Sequence, residues 1–153
     1  MREPGTDASD LLVAFDSDSA TPFEPKDITV GGPQVLAWPM DPSTGVVRQG
    51  SRINWVLLLR FDPAALTAPT SERAADGAVA YSAICPHAGC EVSGWDAEQK
   101  LLECFCHYSH YNPRQGAVII DGPAPRRLPA KASSRKPFTA RVGITPLIDR
   151  DAA

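Results

Sequence analysis

The sequence of 153 residues is poor in three features that would each have indicated a large class of proteins. It has no run of about eighteen or more apolar residues, so it contains no transmembrane helix. Residues 1–10 lack the basic and then apolar pattern of a signal peptide. The net charge is −3, which argues against nucleic acid as a partner because proteins that bind it are usually basic. Either the protein is soluble as made, or a targeting or anchoring segment has been removed from it.

Proline and glycine, by contrast, are frequent, with 15 and 11 residues. This frequency is high for a helical bundle and typical of many short strands joined by turns. The length suits one domain, and an apolar fraction of 43% with a charged fraction of 22% is typical of a globular protein. We therefore predict an all-β fold, with strands at 34–38, 54–61, 78–84, 101–105, 116–121 and 138–144.

Two parts of the chain differ from the rest in charge. Residues 1–27 carry seven acidic and two basic residues, and we predict an extended acidic N-terminal arm with little structure, followed by one domain over 28–153. Residues 126–141 carry six basic residues and no acidic one. Both stretches are solvated surfaces, or else the basic one docks an acidic partner or another subunit. Residues 62–76 are predicted as a loop with one helical turn around 64–66.

All four cysteines fall in two short clusters, with the sequences CPHAGC over 85–90 and CFCHYSHY over 104–111. Each cluster offers one cysteine and one histidine as metal ligands at the end of a predicted strand, and sixteen residues separate the two pairs. The pairs are Cys85 with His87 and Cys104 with His107. Each cluster also contains one further cysteine, Cys90 or Cys106, and the second contains His110, to which no role is assigned.

Two such pairs can hold a 2Fe-2S cluster with two thiolates on one iron and two imidazoles on the other. Because neutral histidine replaces anionic cysteine, adding an electron costs less, and the reduction potential lies at about −150 to +300 mV instead of about −400 mV. The ring nitrogens can also lose protons, which couples electron transfer to proton transfer. A tetrahedral zinc site is the alternative, although it leaves two cysteines unexplained and Cys-x-His is not a usual zinc-finger spacing.

The two clusters resemble the Rieske family pattern C-x-H-x-G-C … C-x-C-H-x-S, in the branch of the cytochrome bc complexes and arsenite oxidase. The resemblance covers about residues 80–127. It implies a Rieske-type fold of stacked antiparallel sheets, with a small cluster-binding subdomain at about 83–127. It implies that Cys85 and Cys104 bind one iron. His87 and His107 would bind the other. It also implies a disulfide between Cys90 and Cys106 that joins the two loops.

The resemblance extends to residues around the cluster. Ser109 resembles a serine that hydrogen-bonds a bridging sulfide, and Tyr111 resembles a tyrosine whose hydroxyl reaches a ligand cysteine sulfur. Both hydrogen bonds would stabilise the more negative reduced state and so raise the reduction potential. Residues 122–125 resemble the proline-rich third loop that covers the cluster. Ala88 departs from the leucine usual in the quinol-oxidising branch, and the aromatic Tyr108 is closer to the arsenite-oxidase type.

The function implied by this resemblance is single-electron transfer at high potential, as a subunit or soluble domain of a quinol:cytochrome c reductase-like complex. Cytochrome b, or quinol itself, would be the donor and a c-type cytochrome the acceptor, and the chain would not be a stand-alone catalyst. The alternatives are the small subunit of an arsenite-oxidase-like molybdenum enzyme, with a molybdopterin subunit as donor, or a Rieske ferredoxin of an oxygenase system. A hydroxylase is excluded, because three histidines cannot also supply a mononuclear iron site.

The implied disulfide bears on the compartment. Structural disulfides persist in the periplasm or outside the cell and are rare in reducing cytosol. We therefore expect a periplasmic or periplasm-facing protein, with any membrane anchor in a segment absent from this sequence.

Overall fold

The computed structural model describes residues 11–14, 23–41, 44–47, 54–74 and 76–130. The strand predicted at 138–144 and most of the basic stretch lie outside the described residues. Within them the chain forms two four-stranded antiparallel sheets, which confirms the all-β class. No helix in this part of the chain is long and apolar enough to cross a membrane.

The first sheet has the strand order β1-β2-β3-β4. Its central strand β3 is the apolar run that the sequence indicated, and its first four residues are buried. Leu57 and Leu59 face one core and Val56 and Leu58 face another, so β3 is covered on both sides. Each fully buried side chain of this kind contributes about 1.5–3 kcal/mol to folding. The strands are β1 (Leu11–Ala14), β2 (Val35–Met40), β3 (Val56–Arg60) and β4 (Ala78–Ser82).

The second sheet has the order β5-β6-β7-β8 and forms the part of the chain that contains the second cysteine cluster. Cys104, at the end of β6, lies opposite Ser109, at the start of β7. The inner face of the second sheet packs on the first sheet, because Leu102 and Tyr111 share one core with Leu57. The strands are β5 (Gly94–Asp96), β6 (Leu101–Cys104), β7 (Ser109–Asn112) and β8 (Val118–Asp121).

One prediction about the N-terminal half is wrong. The segment 11–14 was expected in an arm with little structure, but it forms β1 and pairs with β2 from Leu11 opposite Met40 to Ala14 opposite Ala37. Burial of Leu12 and Val13 stabilises this strand in spite of the acidic residues around it.

In the loop predicted at 62–76, the helical turn expected around 64–66 is present, and a further short helix follows it. A 3-10 turn at Pro63–Ala65 is followed by the helix α1 (Ala68–Arg73). The Asp62 carboxylate accepts a hydrogen bond from the Ala64 N–H and so begins the first turn. Pro69 stands in the first turn of α1, where a missing N–H costs nothing.

Candidate metal centre

The two loops that carry the cysteine–histidine pairs have the same backbone design. The N–H of Gly89 donates to the carbonyl of Cys85 at 2.9 Å, and the N–H of Tyr108 donates to the carbonyl of Cys104 at 2.8 Å. Both donors have left-handed backbone, with φ of +80° and +62°. Each loop is therefore one helical turn that starts at a cysteine and ends on a left-handed residue, with a histidine between them.

The two candidate ligand cysteines are buried and are not part of a disulfide. Cys85 and Cys104 are each 2% exposed. Burial raises the pKa of the Cys104 thiol, the N–H groups of Cys106 and His107 directed at its sulfur lower it, and the neighbouring Cys85 raises it again. Two adjacent thiolates in a buried site repel each other, so a bound cation is needed to hold both in the deprotonated form. The pair thus fits a metal group that is coordinated by sulfur from inside the protein.

The two candidate ligand histidines lie on the outside of the same site. His87 and His107 are both exposed, and their rings are stacked edge to face with centroids 4.6 Å apart. The loops therefore present two sulfurs on the buried side and two imidazoles on the solvent side. This donor set suits a 2Fe-2S group with unlike ligands on its two irons.

A disulfide between Cys90 and Cys106 joins the two loops, as the resemblance implied. The sulfur of Cys104 lies within 4.8 Å of both sulfurs of this bond. Since Cys90 and Cys106 are bonded to each other, neither is available to a metal, and Cys104 is the free thiol of this group.

Strand β7 brings two hydroxyl groups to the buried side of the site. The Tyr111 hydroxyl lies 2.9 Å from the Cys85 sulfur, and both residues are buried. Burial raises the pKa of Tyr111 well above its ordinary value, and the neighbouring Cys85 raises it further. The phenol therefore keeps its proton. The Ser109 hydroxyl accepts a hydrogen bond from the Ala124 N–H at 3.1 Å and also interacts with Tyr111. Because alternate residues of a strand share a face, both hydroxyls lie on the inner side of the sheet.

The third loop packs directly on β7. Gly122 has φ of +100°, and a Cβ at this position would lie 2.4 Å from the Cα of Ser109 and 2.9 Å from the Tyr108 carbonyl oxygen. Only glycine allows this approach. The contact brings Ala124 to Ser109 and ties the predicted covering loop to the second ligand loop.

An exposed aromatic pair borders the histidines. Phe105 and Tyr108 are 54% and 59% exposed, and their rings are in edge-to-face contact with centroids 6.4 Å apart. Phe105 also lies against Gly94 of β5, where any Cβ would collide with its ring. Of these two aromatics, the sequence pattern singled out only Tyr108, as closer to the arsenite-oxidase type.

Comparisons with known proteins give a family match and several relatives. Residues 12–132 match the family model described as the Rieske [2Fe-2S] domain. The chain is 45% identical over 53 residues to a putative respiratory nitrate reductase subunit Rieske of Haloferax mediterranei, covering 35% of this chain and 23% of that protein. It is 29% identical over 125 residues to the cytochrome bc1 complex Rieske iron-sulfur subunits of Streptomyces lividans and Streptomyces coelicolor, covering 78% of this chain and 70% and 34% of theirs.

A solved structure with a detectable likeness is the soluble domain of the Rieske protein II from Sulfolobus acidocaldarius. The likeness has a TM-score of 0.37 at 19% identity and covers 80% of this chain and 59% of that one.

Proposed function

The chain belongs to the Rieske [2Fe-2S] family, and on this premise we propose that it transfers single electrons as the Rieske subunit of a quinol:cytochrome c reductase-like complex. Its cofactor is a 2Fe-2S cluster. The cluster supplies one-electron redox chemistry when bound. The observation that carries the proposal is the pairing of two buried free thiols with two exposed imidazoles in loops joined by a disulfide.

In this proposal the two loops share the ligands equally. Cys85 and Cys104 would hold the cluster from the buried side, and His87 and His107 would hold it from the solvent side. The N–H groups of Cys106 and His107 are directed at the Cys104 sulfur, which stabilises the thiolate form of that ligand. The disulfide fixes the distance between the loops so that the four donor atoms are held together before the metal binds.

The hydroxyls of Tyr111 and Ser109 tune the reduction potential. If Cys85 is bound to the cluster as a thiolate, its sulfur carries no proton, so the Tyr111 hydroxyl donates the hydrogen bond between them. A donor to a ligand sulfur becomes more favourable as negative charge is added, so it raises the potential. The Ala124 N–H donates to the Ser109 oxygen, so the Ser109 hydroxyl can act as a donor on the side of the site where Tyr111 lies.

The exposed edge formed by His87 and His107 is the proposed point of electron entry and exit. Exposure lets a redox partner approach the rings directly, and the cysteine side is closed by the protein core. A cytochrome b subunit or quinol is the proposed donor, and a c-type cytochrome the acceptor. Two relatives named as cytochrome bc1 subunits, aligned over 78% of this chain, support this choice.

A second candidate function is the small subunit of an arsenite-oxidase-like molybdenum enzyme, with a molybdopterin subunit as donor. It is favoured by Tyr108 and Ala88, which are both exposed beside the histidines and depart from the quinol-oxidising pattern. A Rieske ferredoxin of an oxygenase system is disfavoured by the Cys90–Cys106 disulfide. The same disulfide supports a periplasmic or periplasm-facing location.

Affinity purification of the tagged native protein from its own cells tests the choice of complex. We expect a cytochrome b subunit in the purified material and a reduction potential between about −150 and +300 mV. Recovery of a molybdopterin subunit instead would replace the first candidate by the second. A potential near −400 mV would contradict both.

A further inference from the structure

Three ionisable side chains lie side by side on the outer face of the second sheet, opposite to the face that carries Ser109 and Tyr111. Glu103 of β6 is directly opposite His110 of β7, and His110 is directly opposite Asp121 of β8. Since Ser109 and Tyr111 face inward, His110 between them faces outward. Directly opposite residues of antiparallel strands have Cβ atoms about 4.5–5.5 Å apart, so the three side chains can act on one another.

An irregularity in β8 brings Asp121 into this row. Tyr111 pairs with Ile119, but the preceding residue, His110, pairs with Asp121, so Ile120 is an extra residue in β8. Without this bulge the exposed Ile120 would stand opposite His110. β-Bulges re-aim side chains and are frequent next to functional sites. Here the bulge replaces an apolar neighbour of the imidazole by a carboxylate.

The imidazole of His110 is held between the two carboxylates. Its Nδ1 lies 2.7 Å from the Oδ1 of Asp121, and its Nε2 lies 3.3 Å from the Oε2 of Glu103. The side chains of His110 and Glu103 are 22% and 21% exposed, so this pair is largely shielded yet open to a small ion. A carboxylate on one ring nitrogen fixes the ring and makes the other nitrogen the metal-binding one, as in carboxylate–histidine–zinc arrangements.

The distance between Nε2 and Oε2 matches the edge of a zinc coordination tetrahedron. With Zn–N and Zn–O bonds of about 2.0–2.2 Å at a tetrahedral angle, the two donor atoms stand about 3.3–3.5 Å apart. The octahedral geometry of Mg²⁺ would bring neighbouring ligands to about 2.9 Å, and Mg²⁺ prefers oxygen over imidazole. The pair therefore fits zinc better than a hard cation.

We propose that His110 and Glu103 form a second metal site, which binds Zn²⁺ through Nε2 and Oε2 with water completing the tetrahedron. Asp121 orients the ring through Nδ1–H. On binding, any proton on Nε2 passes to solvent, because the nitrogen must offer its lone pair. Two carboxylates around a neutral imidazole balance the charge of a divalent ion.

The chain is well suited to a direct test, since it contains only three histidines. With His87 and His107 proposed to bind the cluster, His110 is the remaining one. Titration calorimetry of the cluster-loaded full chain with zinc chloride should detect one Zn²⁺ per chain, and magnesium chloride should give no binding. His110→Ala and Glu103→Gln should each weaken zinc binding at least tenfold. Asp121→Asn should weaken it about 10- to 100-fold, the usual effect of losing a residue that orients a ligand.

The matched control is Glu98→Gln, which removes the same charge from an exposed position in the β5–β6 turn and should leave zinc affinity unchanged. The visible spectrum of the cluster verifies the fold of each variant. If His110→Ala does not fold, His110→Gln, which keeps a hydrogen-bonding side chain but is a poor zinc ligand, replaces it. Absence of zinc binding by the unaltered chain, or equal binding by the His110 and Glu103 variants, would overturn the proposal.

Discussion

The buried polar residues of the site each have a hydrogen-bond partner. Cys85 and Cys104 are buried thiols beside each other, which the protein tolerates because hydrogen-bond donors surround them. Tyr111 is fully buried, yet its hydroxyl has a sulfur as partner, so no unpaired polar group is left in the core. The sequence predicted these positions through the family pattern, and the structure adds the partners. The ligand assignment itself stays a proposal.

Removing the Tyr111 hydroxyl should lower the reduction potential without loss of the cluster. Tyr111→Phe keeps the ring that packs on Leu57 and Leu102 and deletes only the donor to the Cys85 sulfur. We expect a fall of about 60 mV, equivalent to a tenfold change in a one-electron equilibrium. A redox titration followed by EPR measures the change.

The control for this variant is Tyr81→Phe. Tyr81 is also a buried tyrosine, but its hydroxyl donates to the Pro113 carbonyl at 2.7 Å and not to a cysteine. Its removal should reduce stability and leave the potential unchanged. An equal shift in both variants would remove the proposed role of Tyr111.

Ser109→Ala tests the second hydroxyl in the same way. Ser109 is 1% exposed, and the loss of one buried oxygen also frees the Ala124 N–H. We therefore expect both a lower potential and a loss of about 1–3 kcal/mol of stability, since an unpaired buried donor costs that much. Redox titration and thermal unfolding measure the two effects, and a stability loss with an unchanged potential would make Ser109 purely structural.

At the scale of elements, some strands were predictable and others were not. The apolar run of β3 indicated a strand covered on both faces, because its side chains alternate between two cores. β1 was missed because acidic residues surround its four apolar ones, and its pairing with β2 depends on a distant part of the chain. β7 has the polar sequence SHYN, whose strand form becomes evident only from its partners in β6 and β8. His110 was left without a role for the same reason.

The close packing of the third loop on β7 makes a glycine necessary. Gly122→Ala would force a Cβ to within 2.4 Å of the Ser109 Cα, and backbone atoms cannot move aside as a flexible side chain can. We expect overpacking to lower the free energy of unfolding by about 1–3 kcal/mol, in addition to the strain of a left-handed alanine. The cluster should also be lost at a lower temperature.

Gly89→Ala separates these two costs. Gly89 has φ of +80°, but no atom of the described residues lies within 4 Å of an added Cβ. The Gly89→Ala variant should lose only about 1 kcal/mol of its free energy of unfolding, which is the cost of a left-handed alanine. Equal unfolding midpoints for the two variants would contradict the packing explanation.

At the scale of the whole molecule, the site lies where the two sheets meet. Tyr111 of the second sheet shares a core with Leu57 of the first, and the first ligand loop follows β4 of the first sheet. Strand order and sheet packing of this kind depend on long-range pairing, so the sequence predicted the class of fold but not the arrangement. The disulfide is the covalent link between the two ligand loops, which come from different sheets.

Replacing Cys90 and Cys106 together by serine should weaken this link. The disulfide closes a segment with a sequence separation of 16, and a loop of about this length is stabilised by about 3 kcal/mol. We expect the cluster to assemble but to be lost at a lower temperature, as measured by its visible absorption. An unchanged melting profile would show that packing alone holds the loops together.

His87 and His107 are the proposed histidine ligands of the cluster. Pulsed EPR of the reduced protein labelled with ¹⁵N-histidine tests this assignment most directly. We expect couplings from two histidine nitrogens in the unaltered chain and in His110→Ala. Absence of any histidine nitrogen coupling, or its loss on replacing His110 alone, would contradict the assignment.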